Sequence, residues 1–138
     1  MRALRNRLVP RGRTLPAGER GSVTLENIII WPVVMVFMFG FFQFALWLHA
    51  RDLAHGAATS AYYEARLYDG NIPDAQAVGR AVLEASGGTI EGANVVVTKN
   101  VTTVTVTVTG NTALIVPGWP GSGVSETVTG PVERFVAP

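Results

Sequence analysis

Residues 20–48 read RGSVTLENIIIWPVVMVFMFGFFQFALWL, and this stretch decides how the chain is organised. Within it, Ile28–Leu48 carries no charge and only one clearly polar side chain, Gln43. As an α-helix this run would extend ~31 Å at ~1.5 Å per residue, which matches the hydrocarbon thickness of a bilayer. The stretch therefore predicts one transmembrane helix.

The charges on either side of this run predict its orientation. Residues 1–20 contain six arginines and one acid, a charge of +5, whereas residues 21–138 contain five basic and nine acidic residues, a charge of −4. The positive-inside rule then places the N-terminus in the cytoplasm and the C-terminal part outside the cytoplasmic (inner) membrane. Trp31 and Trp47 stand near the two ends of the run, where indole side chains act as interfacial anchors.

Two other interpretations of the N-terminal region are less favoured. A basic segment can bind nucleic acid, but no Lys/Arg surface continues into the rest of the chain, so we expect membrane lipid and no nucleic acid as a partner. A cleaved secretory signal peptide normally has an apolar core of roughly 7–15 residues, which is shorter than this run. The chain has no cysteine, which excludes disulfides and thiolate metal sites.

Glu26 is a carboxylate two residues before the uninterrupted apolar run. A charge at the centre of a membrane helix costs ~2.5–3.5 kcal/mol, and even at the edge a partner is expected. A cut between Gly21 and Ser22 would create an α-amine about one helical turn, roughly 6 Å, from this carboxylate. That amine, on the same or a neighbouring chain, could neutralise it. The alternative is that Glu26 is only a first-turn acid that suits the helix dipole.

A basic leader, a Gly before a cut and Glu as the fifth mature residue resemble the processing site of type IV pilins. The longer string, RGSVTLE with Pro32, Gln43-Phe44 and Ala50-Arg51 after it, resembles the TadE-like minor pilins of the tight-adherence (Flp/Tad) pilus. This resemblance covers roughly residues 18–66. It departs at Asn27, where the family pattern usually has an aromatic residue.

The resemblance implies a particular function. A prepilin peptidase would remove residues 1–21, and the mature chain would join or prime a filament with other pilin or pseudopilin subunits and the assembly platform. Pilus assembly, secretion and cell adhesion are the processes that it implies. The competing hypothesis is an unprocessed signal-anchored protein that displays a small binding or adaptor domain.

The helix is predicted to continue beyond the membrane as far as residue 69, giving a helical segment over 22–69. Ala57, Ala61 and Ala65 form a stripe of small residues on one of its faces, which could pack on the protein's own sheet or on other subunits. Pro73 predicts the start of a second helix, with Ala75, Val78, Val82 and Ala85 as its apolar stripe and Gly87-Gly88 as its end.

From residue 94 the hydrophobic period changes to two, which predicts strands. They are predicted at Val95–Thr98, Thr103–Thr109 and Val124–Thr129, with a hairpin loop at 99–102, a short strand or extended segment at 113–116 and a loop at 117–123. The prediction is an α+β fold: a long N-terminal transmembrane helix that extends into a small extracytoplasmic domain, 70–138, with a short helix and about three antiparallel strands. A pilin-like arrangement of these elements is what the resemblance implies.

No catalytic, cofactor-binding or metal-binding set stands out in the sequence. His49 and His55 are six residues apart, so they face different sides of a helix. No metalloprotease, phosphate-loop or dinucleotide motif is present. We therefore expect no enzymatic activity and no cofactor.

Overall fold

The computed structural model describes residues 19–118 and 122–134, with side chains from residue 26 onward. Most of the predicted leader and the centre of the 117–123 loop therefore lie outside the described residues. The chain divides into two compact units, Met1–Val36 and Phe37–Pro138. The elements are α1 (Glu19–Arg66), α2 (Ile72–Ala85), β1 (Ile90–Lys99), β2 (Thr103–Thr112) and β3 (Gly123–Pro131). A long apolar helix, a short helix and a three-stranded antiparallel sheet confirm the predicted α+β fold.

Helix α1 carries the predicted membrane span. Within the described part of the chain, it is the one helix that is long and apolar enough to cross a membrane. The large apolar side chains between Ile28 and Phe42 are exposed, as the side chains of a lipid-facing helix are. The span's orientation and the anchoring roles of Trp31 and Trp47 stay predictions.

Helix α1 ends at Arg66, three residues before the predicted end. The chain turns because the Gly70 amide donates to the Leu67 carbonyl at 3.1 Å. The carbonyls at the end of the helix and just after it also find partners: the Glu133 amide donates to Arg66 O at 3.0 Å, and Lys99 Nζ donates to Leu67 O at 3.1 Å. Orphan carbonyls at a helix end must be satisfied in this way, and a nearby ammonium also suits the helix dipole.

Helix α2 starts where Pro73 predicts, with Asn71 as its N-cap. The side chain of Asn71 accepts a hydrogen bond from the Asp74 amide at 2.8 Å. The predicted apolar stripe is wrong in part, since Val78 and Val82 are half-buried and Ala85 is exposed. The buried residues of α2 are Ala75, Gly79 and Leu83.

Gly79 explains why the buried face of α2 differs from the prediction. A Cβ atom at this position would lie 3.1 Å from Val95 Cγ1 and 3.2 Å from Ala61 Cβ. The helix therefore approaches β1 and α1 most closely at a residue that has no side chain. A stripe predicted from apolar side chains cannot include a glycine. The predicted stripe is therefore displaced by one residue from the buried face.

The sheet has the order β1-β2-β3, and both neighbouring pairs are antiparallel. Val104, Val106 and Val108 of β2 are fully buried and form the inward face of the strand. The threonines between them point outward and pair with β3, for example Thr105 Oγ1 with Thr129 Oγ1 at 3.1 Å. The alternation of Thr and Val thus gives the central strand one solvent-facing side and one buried side.

Strand β1 begins at Ile90, well before the predicted start at Val95. The pairing with β2 is interrupted by a register shift between Glu91 and Asn94, and Gly92 there has a positive φ of 61°. A bulge breaks the two-residue alternation on which a strand prediction rests. Residues 113–116 form no strand and lie beside α1 instead.

The small-residue stripe of α1 packs inside the protein's own domain. The three alanines of this stripe, together with Ala50, Ala54 and Ala58, are fully buried and share one hydrophobic core with the valines of the sheet. Small side chains allow the backbones of a helix and a sheet to come close together. Of the two alternatives for this stripe, packing on the protein's own sheet is therefore confirmed.

Candidate functional site

Three side chains on one face of α1 hold the start of β3 and the segment that precedes it. They are Gln43, Trp47 and Arg51, spaced four residues apart, so they stand one above the other along the helix. Their partners are the 113–115 segment, Gly123 and Glu126. We call these three side chains and their partners the junction. All of them belong to the unit Phe37–Pro138.

Gln43 uses both ends of its amide in the junction. Its Nε2 donates to the Ala113 carbonyl at 3.2 Å, and its Oε1 accepts from the Ile115 amide at 2.9 Å. The side chain is only 2% exposed, although it belongs to the apolar run of the predicted span. A buried amide without partners would cost about 1–3 kcal/mol, so these two bonds make the position tolerable for a glutamine.

Trp47 forms the middle contact of the junction. Its indole Nε1 donates to the Gly123 carbonyl at 3.1 Å, at the first residue of β3. Its ring stacks against Phe44 with the centroids 6.1 Å apart, and the Arg51 guanidinium lies 5.9 Å from its centroid. The residue predicted as an outer interfacial anchor thus also ties α1 to the sheet.

Arg51 and Glu126 form the polar end of the junction. Arg51 Nε donates to Glu126 Oε1 at 2.6 Å, and His55 Nδ1 lies 3.6 Å from the other carboxylate oxygen. The hydrogen bond to Glu126 and the charge of that carboxylate raise the pKa of Arg51 above its usual value. Because Arg51 is exposed, solvent screens this pair, and we assign it a role in alignment rather than in stability.

The predicted processing residues lie at the start of α1. Gly21 and Ser22 belong to the helix, but their side chains are outside the described part of the chain. Glu26 is exposed, as is Trp31 in the following turn. Cleavage at this site therefore stays a prediction.

Sequence reasoning missed the partners in the junction. The available signal was Gln43 itself, a lone amide in an apolar run, which indicates that a polar partner comes close. Its partner segment is 70 or more residues away, so no local pattern identifies it. Among the residues that the structure describes, no group of three or more His, Asp or Glu side chains could hold a metal ion.

Comparison with known proteins agrees with the predicted resemblance. The family model described as TadE-like protein matches residues 21–61. The chain therefore has a TadE-like N-terminal segment, which begins at Gly21 and includes Glu26 and all three junction residues of α1. No curated protein and no solved structure matches the chain.

Proposed function

We propose that this protein is a minor pilin or pseudopilin that takes part in assembling a tight-adherence pilus, and that a prepilin peptidase cleaves it between Gly21 and Ser22. The observation that carries the proposal is the TadE-like match over residues 21–61, which starts at the predicted cut. The same segment combines Glu26, an exposed apolar helix and two of the three alanines of the small-residue stripe. The role is structural, without catalysis or a cofactor.

The chemistry of the cut explains why Glu26 stands at the edge of an apolar run. Before cleavage, its charge has to stay at the membrane surface, because moving it inward is costly. After cleavage, the α-amine of Ser22, on this or a neighbouring chain, can pair with the carboxylate. A subunit could then enter a packed bundle of apolar helices in a defined register, with other pilin subunits and the assembly platform as its partners.

The position of the alanines limits how such subunits can meet. The stripe on α1 is buried against the protein's own sheet. An exposed apolar surface on which neighbouring subunits can pack is the part of α1 between Ile28 and Phe42. The same surface contacts lipid while the subunit waits in the membrane.

The direct test is the mass of the N-terminus in protein extracted from membranes that contain a prepilin peptidase. We expect the chain to start at Ser22 and Gly21→Val to block cleavage, because a bulky side chain crowds a pocket shaped for glycine. The matched control is Gly18→Val, which adds the same side chain three residues upstream and should leave cleavage unchanged. A wild-type start at Met1 or Arg2 would instead support the unprocessed signal-anchored alternative.

A second variant separates cleavage from assembly. Glu26→Gln removes the charge that the new amine would pair with, so we expect cleaved protein in the membrane but a loss from sheared filaments. Glu91→Gln removes an exposed carboxylate on β1 and serves as the control. Equal recovery of both variants in filaments would contradict the pairing.

A further inference from the structure

We propose that the 113–116 segment, Ala-Leu-Ile-Val, inserts into the lipid hydrocarbon of the membrane leaflet next to the domain. The proposal rests on the membrane span of the proposed function, but not on cleavage or filament assembly. The depth of the segment, the exposure of its side chains and its backbone hydrogen bonds at the junction all support lipid as its surroundings.

The depth follows from the contact with Gln43. This residue lies five positions before Leu48, the outer end of the predicted span, which is about 7.5 Å along a helix. Its side chain contacts Ala113 and Ile115 directly, at 3.2 and 2.9 Å. The segment is therefore held at the height of the last turn and a half of the span, below the level of Trp47.

The side chains of the segment fit this position. Leu114 is 50% exposed and Ile115 is 46% exposed, and Phe42 and Phe44, which flank Gln43 in α1, are exposed as well. Adjacent large apolar side chains that are exposed together often mark an interaction surface. Gln43 holds the segment against the predicted span, so the same hydrocarbon can cover both.

Two polar groups of the segment's backbone have hydrogen-bond partners in the side chain of Gln43. Non-helical backbone at membrane depth requires partners for its polar groups, because lipid offers none. Gln43 supplies an acceptor to the Ile115 amide and a donor to the Ala113 carbonyl. This gives a reason for a glutamine inside an otherwise apolar run: it is a positioning residue for the inserted segment.

Because the chain has no cysteine, a single introduced cysteine is the only residue that a thiol-reactive label will modify. Single-cysteine variants of the full chain carry an environment-sensitive fluorophore in phosphatidylethanolamine–phosphatidylglycerol vesicles with nitroxide-labelled acyl chains. The three positions are Ile115→Cys in the segment, Phe37→Cys in the span, and Val101→Cys at the 89% exposed tip of the β1–β2 hairpin. We expect quenching at 115 to approach that at 37 and to exceed that at 101 by roughly threefold or more, because only hydrocarbon brings the label near the nitroxides.

Each other outcome overturns the proposal in a distinguishable way. Quenching at 37 but not at 115 would mean that the span inserts and the segment does not. A label at 115 that is shielded from water, but only at high protein-to-lipid ratios and without quenching, would mean that a second protein chain covers the segment. No quenching at 37 would mean that the predicted span does not insert into the bilayer, and the inference would fail with it.

The role of Gln43 has its own test in the same vesicles. Gln43→Leu leaves the two backbone groups of the segment without partners, so we expect them to turn towards water and the quenching at 115 to fall towards the value at 101. Circular dichroism of the sheet checks that the domain stays folded. Undiminished quenching at 115 in a folded Gln43→Leu variant would refute the part that we assign to Gln43.

Discussion

Replacing Gly130 with alanine tests how closely α1 packs on β3. A methyl group at this position would lie 2.6 Å from Cζ and 3.0 Å from Cε2 of Tyr62, and would meet its hydroxyl oxygen as well. Tyr62 has little freedom to move away. It is 8% exposed, its hydroxyl donates to the Pro131 carbonyl at 3.3 Å, and the Arg66 guanidinium lies 5.7 Å from its ring centroid.

The expected loss in the free energy of unfolding follows from this geometry. Overpacking a well-filled site typically costs about 1–3 kcal/mol, and the contacts with a rigid ring favour a value of about 2 kcal/mol. Backbone strain does not contribute, because Gly130 is not among the glycines with positive φ. Gly123→Ala is the matched control on the same strand: its nearest atom would be Asn111 Oδ1 at 3.9 Å, so a change of no more than about 0.5 kcal/mol is expected.

The assay is urea unfolding of the full chain in detergent micelles, followed by near-ultraviolet circular dichroism. A double-mutant cycle with Tyr62→Ala then locates the cause, because a methyl group at 130 should cost little once the ring has gone. We expect a coupling energy of about 1 kcal/mol or more between the two positions. Equal losses for Gly130→Ala and Gly123→Ala, or additive effects in the double variant, would refute the packing that we describe.

Two further changes test the sheet and the short helix in the same assay. Val106→Ala should lower the free energy of unfolding by about 2–3 kcal/mol, because it removes fully buried carbon and leaves a cavity, whereas Val101→Ala at the exposed hairpin tip should change it by less than about 0.5 kcal/mol. Asn71→Ala should cost about 1 kcal/mol through loss of the α2 N-cap, and Asn71→Ser should keep most of that energy because serine is also a good cap; equal losses for the two would count against capping.

The elements that sequence alone predicts well are those with a local physical cause. The alternation of Thr and Val over 103–109 determines which face of β2 is buried, and Pro73 predicts the start of α2. The apolar run predicts the helix that could cross a membrane. In each case the signal lies within a few residues of the feature, so no knowledge of the tertiary structure is needed.

The features that sequence alone does not predict depend on distant contacts. Gly79 lies on the buried face of α2 only because Val95 and Ala61 come close to it there. The early start of β1 is hidden by the bulge at Gly92. The partners of Gln43 and Trp47 are 70 or more residues away, so the junction becomes visible only after the chain has folded.

The order of the junction residues along α1 connects its geometry to its position at a membrane. From the apolar end outward, the helix contributes an amide, then an indole, then a guanidinium, at Gln43, Trp47 and Arg51. The amide is fully buried, indoles favour the interface between lipid and water, and the guanidinium of Arg51 is exposed. Polarity therefore rises towards the solvent along the same helix face that holds the sheet. We expect a domain attached through such a gradient to keep a fixed height in a bilayer, because sliding the helix by one turn would place either Arg51 in hydrocarbon or the apolar residues before Gln43 in water.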